Sequence, residues 1–292
     1  MRESSAGITA LVPTFNEEDN IRACLEHLTW VDQLIVVDSF STDRTLEIAR
    51  EFTDEVVQHE YVNSATQKNW ALSTLPLRGR WTLIVDADER IVPELAEEIL
   101  RVVIDDDRDY GGYFLNRRNY FFGHWIRHAG MYPSWNLRLF RTGAARYETK
   151  EVDADVYLLE PGRVGYLKHD MEHYSFRSIQ ECVRKFDRYA GWDAHERAKP
   201  PAEQDDQAEV AGALGGTRTW ARRVFEKLPA KPVVIFLYMY FLKLGFLDGR
   251  AGFVTCGLWA VREFLTEAKL WELRQAQLHE LRKARSADGR RG

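Results

Sequence analysis

The chain has 292 residues, 45% of them hydrophobic and 29% charged, with a formal net charge of −5 at pH 7. That balance belongs to an ordinary soluble globular protein with a sizeable core, and the negative charge excludes nonspecific nucleic-acid binding by the whole chain. Cys24, Cys182 and Cys256 are odd in number, far apart and form no CxxC pair. They exclude a disulfide scaffold and a cysteine zinc site, and read as buried apolar residues in a reducing compartment.

The opening MRESSAGITALVPTF lacks a basic region followed by a long apolar stretch, so no secretory signal is expected. Ile8 to Phe15 is short, apolar and β-branched, which predicts a buried strand. An acidic loop follows, then a helical pattern carried by Ile21, Leu25 and Leu28. Gln33 to Val37 is a second buried strand, ending at Asp38-Ser39, and Ser41-Thr42-Asp43 resembles the N-cap cluster of a helix through Leu46, Ile48 and Ala49. Glu55 to Gln58 predicts a third strand and Ala65 to Leu72 a helix. Trp81 to Val85 predicts a fourth strand, followed by the helix PELAEEILRVV with Pro93 in its first turn. Gly112–Asn116 and Asn136–Phe140 read as further strands, joined by the aromatic, basic loop RRNYFFGHWIRHAGMYPSW.

Strands alternating with helices predict an α/β fold whose sheet is parallel and covered on both faces. Ligands of such sheets sit beyond the carboxyl ends of the strands. The first, second and fourth strands end at Pro13–Glu17, Asp38-Ser39 and Asp86–Asp88, so these three polar clusters are expected to meet at one crevice.

In WTLIVDADER an apolar run ends in closely spaced acids. Asp86 and Asp88 would repel each other unless something positive lies between them. Hard carboxylate oxygens suit Mg²⁺ or Mn²⁺, and a cation held by one or two carboxylates also bridges phosphates, which points to a nucleotide diphosphate. The alternative is a solvated turn whose acids favour the dipole of the next helix. Neither GxGxxG nor GxxxxGK[ST] occurs, so a dinucleotide site or P-loop has no motif behind it. Asp38 and Glu17 would accept hydrogen bonds from a base or ribose, or else cap helices.

VPTFNEEDNIRACLEHL, LIVVDSFSTDRTLEIA, QKNWAL and WTLIVDADERI together resemble the successive motifs of family 2 glycosyltransferases, across about the first 175 residues. The resemblance implies a GT-A fold, a Rossmann-like mixed sheet with flanking helices, followed by a helical C-terminal region. It implies a nucleotide-sugar donor, here a UDP-sugar, a divalent cation and inversion at the anomeric carbon. On it, Pro13, Thr14, Phe15, Asn16 and Glu17 form the first nucleotide-binding motif, and Asp38 and Ser39 the second. Lys68 lies near the base or diphosphate, Asp86, with Ala87 beside it, near ribose and metal, and Asp88 on the metal. YPSWNLRLFRTGAARYE and VGYLKHDMEHYSF resemble the branch that builds lipopolysaccharide core and related lipid-linked glycans. There Arg138 and His173 occupy recurring positions, with His173 on the metal or diphosphate. Donor binding is expected up to about residue 110 and the acceptor side over 111–175, where the loop Tyr120–Trp135 would stack on acceptor sugars.

Inversion needs a base for the acceptor hydroxyl proton. The branch carries a His-Glu pair where this chain has EVDADV, with Ala154 at the glutamate position. The candidates become Asp153, Asp155 and, in a shifted alignment, Glu151.

Residues 176–292 are read as a helical region with a mobile linker at about 198–217 and apolar helices at about 232–270. PVVIFLYMYFLKLGFL, as one helix of ~1.5 Å per residue, falls short of a ~30 Å hydrocarbon core. Arg222, Arg223, Lys227 and Lys231 precede it, which suits a helix lying in the membrane interface, as opposed to one packed internally or on a second copy. The tail HELRKARSADGRRG reads as disordered. The expected enzyme is thus cytoplasmic and peripheral on the inner face of the membrane, with a lipid-linked or membrane glycan as acceptor and a homo-oligomer as one possible state. The other readings are a nucleotidyltransferase that makes the activated sugar, disfavoured because PTFNEED has no glycine, and a glycan- or lipid-binding relative that has lost its base.

Overall fold

The computed structural model describes residues 6–105, 110–148, 155–198 and 230–288, with side chains as far as residue 279. The chain divides into two compact units, one of residues 1–127 and 131–176, the other of 128–130 and 177–292.

In the first unit β1 (Ile8–Thr14), β2 (Gln33–Asp38), β3 (Val56–Gln58) and β4 (Trp81–Ile84) pair in parallel in the order β3-β2-β1-β4. The sheet continues through β8 (Trp135–Arg141), antiparallel to β4, then β6 (Tyr110–Phe121), β11 (Arg163–Phe176) and the two-residue β5 (Glu89–Arg90). β6 and β11 run parallel, so the sheet is mixed. β7 (His124–Trp125) extends the end of β6, and β9 (Ala145–Tyr147) pairs separately with β10 (Val156–Leu158).

Strand periodicity explains why both faces are covered. Ile8, Ala10 and Val12 point into one core with Leu25, Leu83, Leu95 and Ile99, whereas Leu11 joins Ile35, Val37, Ile84 and Phe140 in the other. The first core is roofed by α1 (Ile21–Glu26), α2 (Thr45–Ala49) and α4 (Pro93–Ile104); the second takes Ala65 and Ala71 from α3 (Ser64–Thr74). In α4 the buried residues Leu95, Ala96, Ile99 and Val103 recur at helical spacing behind Pro93, whose missing N–H costs nothing in the first turn. The N-cap position of α2 falls on Arg44, which makes no side-chain cap, and not on the expected Ser41-Thr42-Asp43; Asp43, just before it, accepts the Thr45 N–H at its Oδ1 at 3.0 Å. All three cysteines are buried and free, as read.

In the second unit α5 (Ile179–Ala198) packs along α7 (Gly249–Asp288). Arg262–Asp193 at 2.8 Å, Arg197–Glu263 at 2.8 Å and the tilted Phe186–Trp259 pair lie between them. The apolar segment from residue 232 is not one helix. α6 (Lys231–Leu237) runs into a π-helical turn over Tyr238–Leu242, breaks at Leu244 with φ +57°, and resumes as a 3₁₀ turn over Gly245–Asp248. The break is fixed by close packing: a Cβ on Gly245 would sit 2.8 Å from Cys256 Sγ and 2.9 Å from Met239 O, while Ala129 N–H donates to Lys243 O at 2.8 Å. The tail also departs from expectation, since α7 stays helical to Asp288. The linker at 199–217 and the basic residues Arg222, Arg223 and Lys227 lie outside the described residues.

Gly79 is the tightest point beside β1: a Cβ there would lie 2.5 Å from Thr9 N and 2.7 Å from Gly7 O, both backbone atoms that cannot swing aside. Gly79→Ala is expected to cost about 1–3 kcal/mol in urea unfolding. Gly257→Ala in α7, where nothing lies within 4 Å, is expected to gain up to about 1 kcal/mol.

Candidate active site

The ends of β1 and β2 are stitched together. Thr14 and Asp38 are register partners, and Ser39 N–H donates to Thr14 O at 3.0 Å. Asn16, in the left-handed region at φ 52°, donates its N–H to Ser41 Oγ and accepts Thr42 N–H at its Oδ1, both at 2.8 Å. Glu17 N–H donates to Thr45 Oγ1 at 2.8 Å, and its carboxylate accepts from Asn20 Nδ2 at 2.7 Å. Asp38 is fully buried; its Oδ2 accepts Ser41 N–H at 2.9 Å and Gln58 Nε2 at 3.1 Å. It holds the second loop in shape from within. Pro13 lies in β1 itself, opposite Val37. Phe15 and Phe40 stand in solvent at the two strand ends, and Thr14 Oγ1 is buried without a hydrogen-bond partner among the described residues.

The end of β4 joins this edge, because Val85 N–H donates to Leu11 O at 3.0 Å. α3 then ties β2 to β4 with two consecutive side chains. Gln67 Nε2 donates to Ser39 Oγ at 2.6 Å, and Lys68 Nζ lies 2.7 Å from Asp86 Oδ1. Asp86 Oδ2 is paired with Arg138 of β8, with Arg117 of β6 at 3.8 Å. Glu89, fully buried, buttresses the group: its Oε2 accepts Asp86 N–H at 2.8 Å and its Oε1 lies 2.8 Å from Arg138 and 2.9 Å from Arg117. Tyr147 closes one side, its ring 5.1 Å from Lys68 Nζ and its hydroxyl accepting from Arg138 at 3.4 Å. Burial alone would raise the Asp86 pKa, but the charges of Arg138, Lys68 and Arg117 outweigh it and hold the carboxyl well below its usual range. Burial likewise works against the Arg138 charge, and Asp86 and Glu89 reverse it.

Two residues on, Asp88 turns the other way. Its carbonyl accepts Tyr174 N–H at 2.8 Å, and its Oδ2 lies 3.5 Å from His173 Nε2. The other imidazole nitrogen, Nδ1, is 2.8 Å from Asn119 Oδ1 and 3.1 Å from Ser175 Oγ. An amide oxygen is only an acceptor, so Asn119 requires a proton on Nδ1, and Nε2 is the ring nitrogen that faces Asp88, with Ser175 Oγ 3.3 Å from it. Ala87, buried between the two aspartates, offers its carbonyl to Arg90 at 3.1 Å.

The structure therefore gathers Thr14, Ser39, Lys68, Asp86, Asp88, Arg138 and His173 along one sheet edge and its flanking strands. Asp155 is exposed, and Glu148 N–H donates to its carbonyl at 2.9 Å. Glu151 and Asp153 lie outside the described residues. Among the described residues, no group of three or more His, Cys, Asp and Glu side chains is arranged to hold a metal ion. Sequence reasoning missed Glu89, Arg117 and Asn119. The third carboxylate of DADE, Glu89, and the polar run NRRN, Asn116 to Asn119, were the available signals.

Residues 9–168 match the model of Glycosyl transferase family 2. The chain belongs to that family and is a glycosyltransferase. A protein named lipopolysaccharide core biosynthesis glycosyltransferase LpsC, from Rhizobium meliloti (strain 1021), is 27% identical over 271 residues, covering 91% of this chain and 92% of the relative. An uncharacterized glycosyltransferase of Rickettsia typhi is 26% identical over 279 residues, covering 91% of this chain and 87% of its own length. Among solved structures, S. aureus TarS 1–349 is similar with a TM-score of 0.42 and 16% identity, covering 92% of this chain and 91% of that one.

In this family 2 glycosyltransferase the buried ionic group bears on stability. Arg138→Met strands Asp86 and Glu89 beside each other and is expected to cost about 3–5 kcal/mol in urea unfolding; Arg22→Met, at the exposed pair with Glu51, should leave the midpoint nearly unchanged. Because the folded-state pKa of Asp86 is depressed, its contribution is present above the unfolded value of about 3.9 and is lost as pH falls through the folded value. Asp86→Asn is expected to flatten that acid limb.

Proposed function

We propose that this glycosyltransferase moves a sugar, with inversion, from a UDP-sugar bound with Mg²⁺ or Mn²⁺ to a lipid-linked or membrane-borne glycan at the cytoplasmic face of the membrane. One observation carries the donor side: a carboxylate and an imidazole nitrogen converge at Asp88 and His173, beside an Asp86 already neutralised by cations. Two ligands of one six-coordinate ion of this size stand about 3 Å apart, close to the 3.5 Å separation here. Oxygen and imidazole donors with an amide behind the imidazole fit a divalent cation. Asp88 and His173 would hold the cation, which when bound neutralises the departing diphosphate. Asp86, saturated by Lys68 and Arg138, serves instead to fix those cations, and the exposed Phe15 and Phe40 flank the nucleoside side. A carboxylate of the 151–155 segment, from Glu151, Asp153 or Asp155, takes the acceptor proton.

The acceptor side draws on the name of the LpsC relative and on the second unit. Around the break at Leu244, Phe241, Leu242 and Leu247 are 55%, 74% and 56% exposed. Among the described residues no single helix is long and apolar enough to cross a membrane, and the pair meeting there is bent by 75°. Such a bent, apolar, aromatic corner suits burial in the interface, with Lys243 and Arg250 at headgroup level.

The donor half is tested by incubating the protein with UDP-, GDP- and dTDP-sugars and Mn²⁺, then with EDTA. Turnover or slow hydrolysis of one UDP-sugar, abolished by EDTA and by Asp88→Asn, is expected. Asn119→Ala should weaken the Mn²⁺ requirement curve by about 10–100-fold; full turnover in Asp88→Asn removes the metal role. For the acceptor half, the protein should float with anionic lipid vesicles, and Phe241→Glu with Leu242→Glu should release it. Equal flotation of the double variant, or a dimer that those changes dissolve without any lipid effect, contradicts the membrane reading.

A further inference from the structure

Glu89 is a fully buried carboxylate of the site, and nothing proposed above uses it. Its two oxygens serve different masters: Oε2 fixes the backbone of Asp86, and Oε1 faces two guanidinium groups. Those guanidiniums are unequally committed. Arg138, 4% exposed, donates a directed hydrogen bond to Glu89 at 2.8 Å and pairs with Asp86. Arg117 Nε lies 2.9 Å from Glu89 yet off the hydrogen-bonding direction, and its terminal nitrogen is 3.8 Å from Asp86. Arg117 is also the more accessible of the two, at 18%. In formal charge, among the described residues, the ion pairs of this cluster join three cations, Lys68, Arg117 and Arg138, to two carboxylates, Asp86 and Glu89. A surplus positive charge in a poorly hydrated site is costly unless an anion meets it.

β6 says where that anion would be. Arg117 and Asn119 are two residues apart on one strand, hence on the same face and about 7 Å apart. Asn119 holds the imidazole that faces Asp88, so Arg117 projects beside the proposed cation position and on the same side of the sheet. We propose that Arg117 is a phosphate-contacting residue for the donor's diphosphate, and that Glu89 is the positioning residue that keeps its planar fork aimed there. An arginine fork matches phosphate oxygens in pairs, and a loosely held one is able to exchange the distant Asp86 contact for them. This inference rests on the diphosphate donor proposed above.

The test is calorimetric titration of the full chain, with Mn²⁺ present, by UDP and separately by uridine. Arg117→Gln is expected to weaken UDP by about tenfold or more while leaving uridine unchanged, since only a charged contact to phosphate is lost. Arg117→Lys should recover part of that loss. Glu89→Gln should shift UDP in the same direction, and the double variant should bind UDP no worse than Arg117→Gln alone, because Glu89 acts through Arg117. Unchanged UDP affinity in Arg117→Gln overturns the proposal, as does a parallel fall in UDP and uridine, which marks a damaged fold. Additive losses in the double variant overturn the Glu89 part. Arg117 is replaceable without opening the core, so its variants decide the matter even if Glu89→Gln does not fold. Failure of the unaltered protein to bind UDP while binding another nucleoside diphosphate, or none, removes the donor reading itself and this inference with it.

Discussion

A single carboxylate, that of Asp86, holds the site together by being kept charged where burial would neutralise it. Lys68 arrives from a helix, Arg138 from an antiparallel strand and Arg117 from the strand beyond, so three separate parts of the chain meet on one anion. Each ion would be expensive alone in that environment; together they repay the desolvation only because the geometry is fixed by the sheet. The cluster is thus a specification of the fold.

That specification depends on the reversal of strand direction at β8. Because β8 is antiparallel to both β4 and β6, Arg138 and Arg117 reach the same carboxylates from neighbouring strands. The pairing of β5 with β11, register Glu89 with His173, brings the DADE turn against the strand carrying the imidazole. Asp86 and Asp88, two positions apart, consequently face different partners: cations for the first, a histidine ring nitrogen for the second. The repulsion implied by their spacing is relieved mainly from outside the pair.

Much of this was legible in the sequence because strand ends announce themselves. The apolar runs ending at Thr14, Asp38 and Asp86 specify three buried parallel strands, and parallel pairing forces their ends to one edge. Lys68 and Arg138 were reachable through family resemblance. Glu89, Arg117 and Asn119 were not, since their significance lies in cross-strand register that periodicity does not encode: NRRN sets two arginines side by side without saying which faces inward. The apolar segment after residue 232 misled for a different reason. Composition favours one continuous helix, and the break at Leu244 is imposed by the close seat of Gly245 on Cys256 and by the hydrogen bond from Ala129, a residue far away in the chain. The tail, basic and polar, reads as disordered by composition, yet it prolongs a helix already anchored against α5.

The division of labour between the two aspartates is the central claim, and locating manganese by its anomalous scattering in crystals grown with Mn²⁺ and UDP tests it most directly. We predict a single peak bound by the Asp88 carboxylate and His173 Nε2, with Asp86 still paired to Lys68 and Arg138. A peak coordinated by Asp86 with those two cations displaced, or no peak near the end of β4, would contradict it.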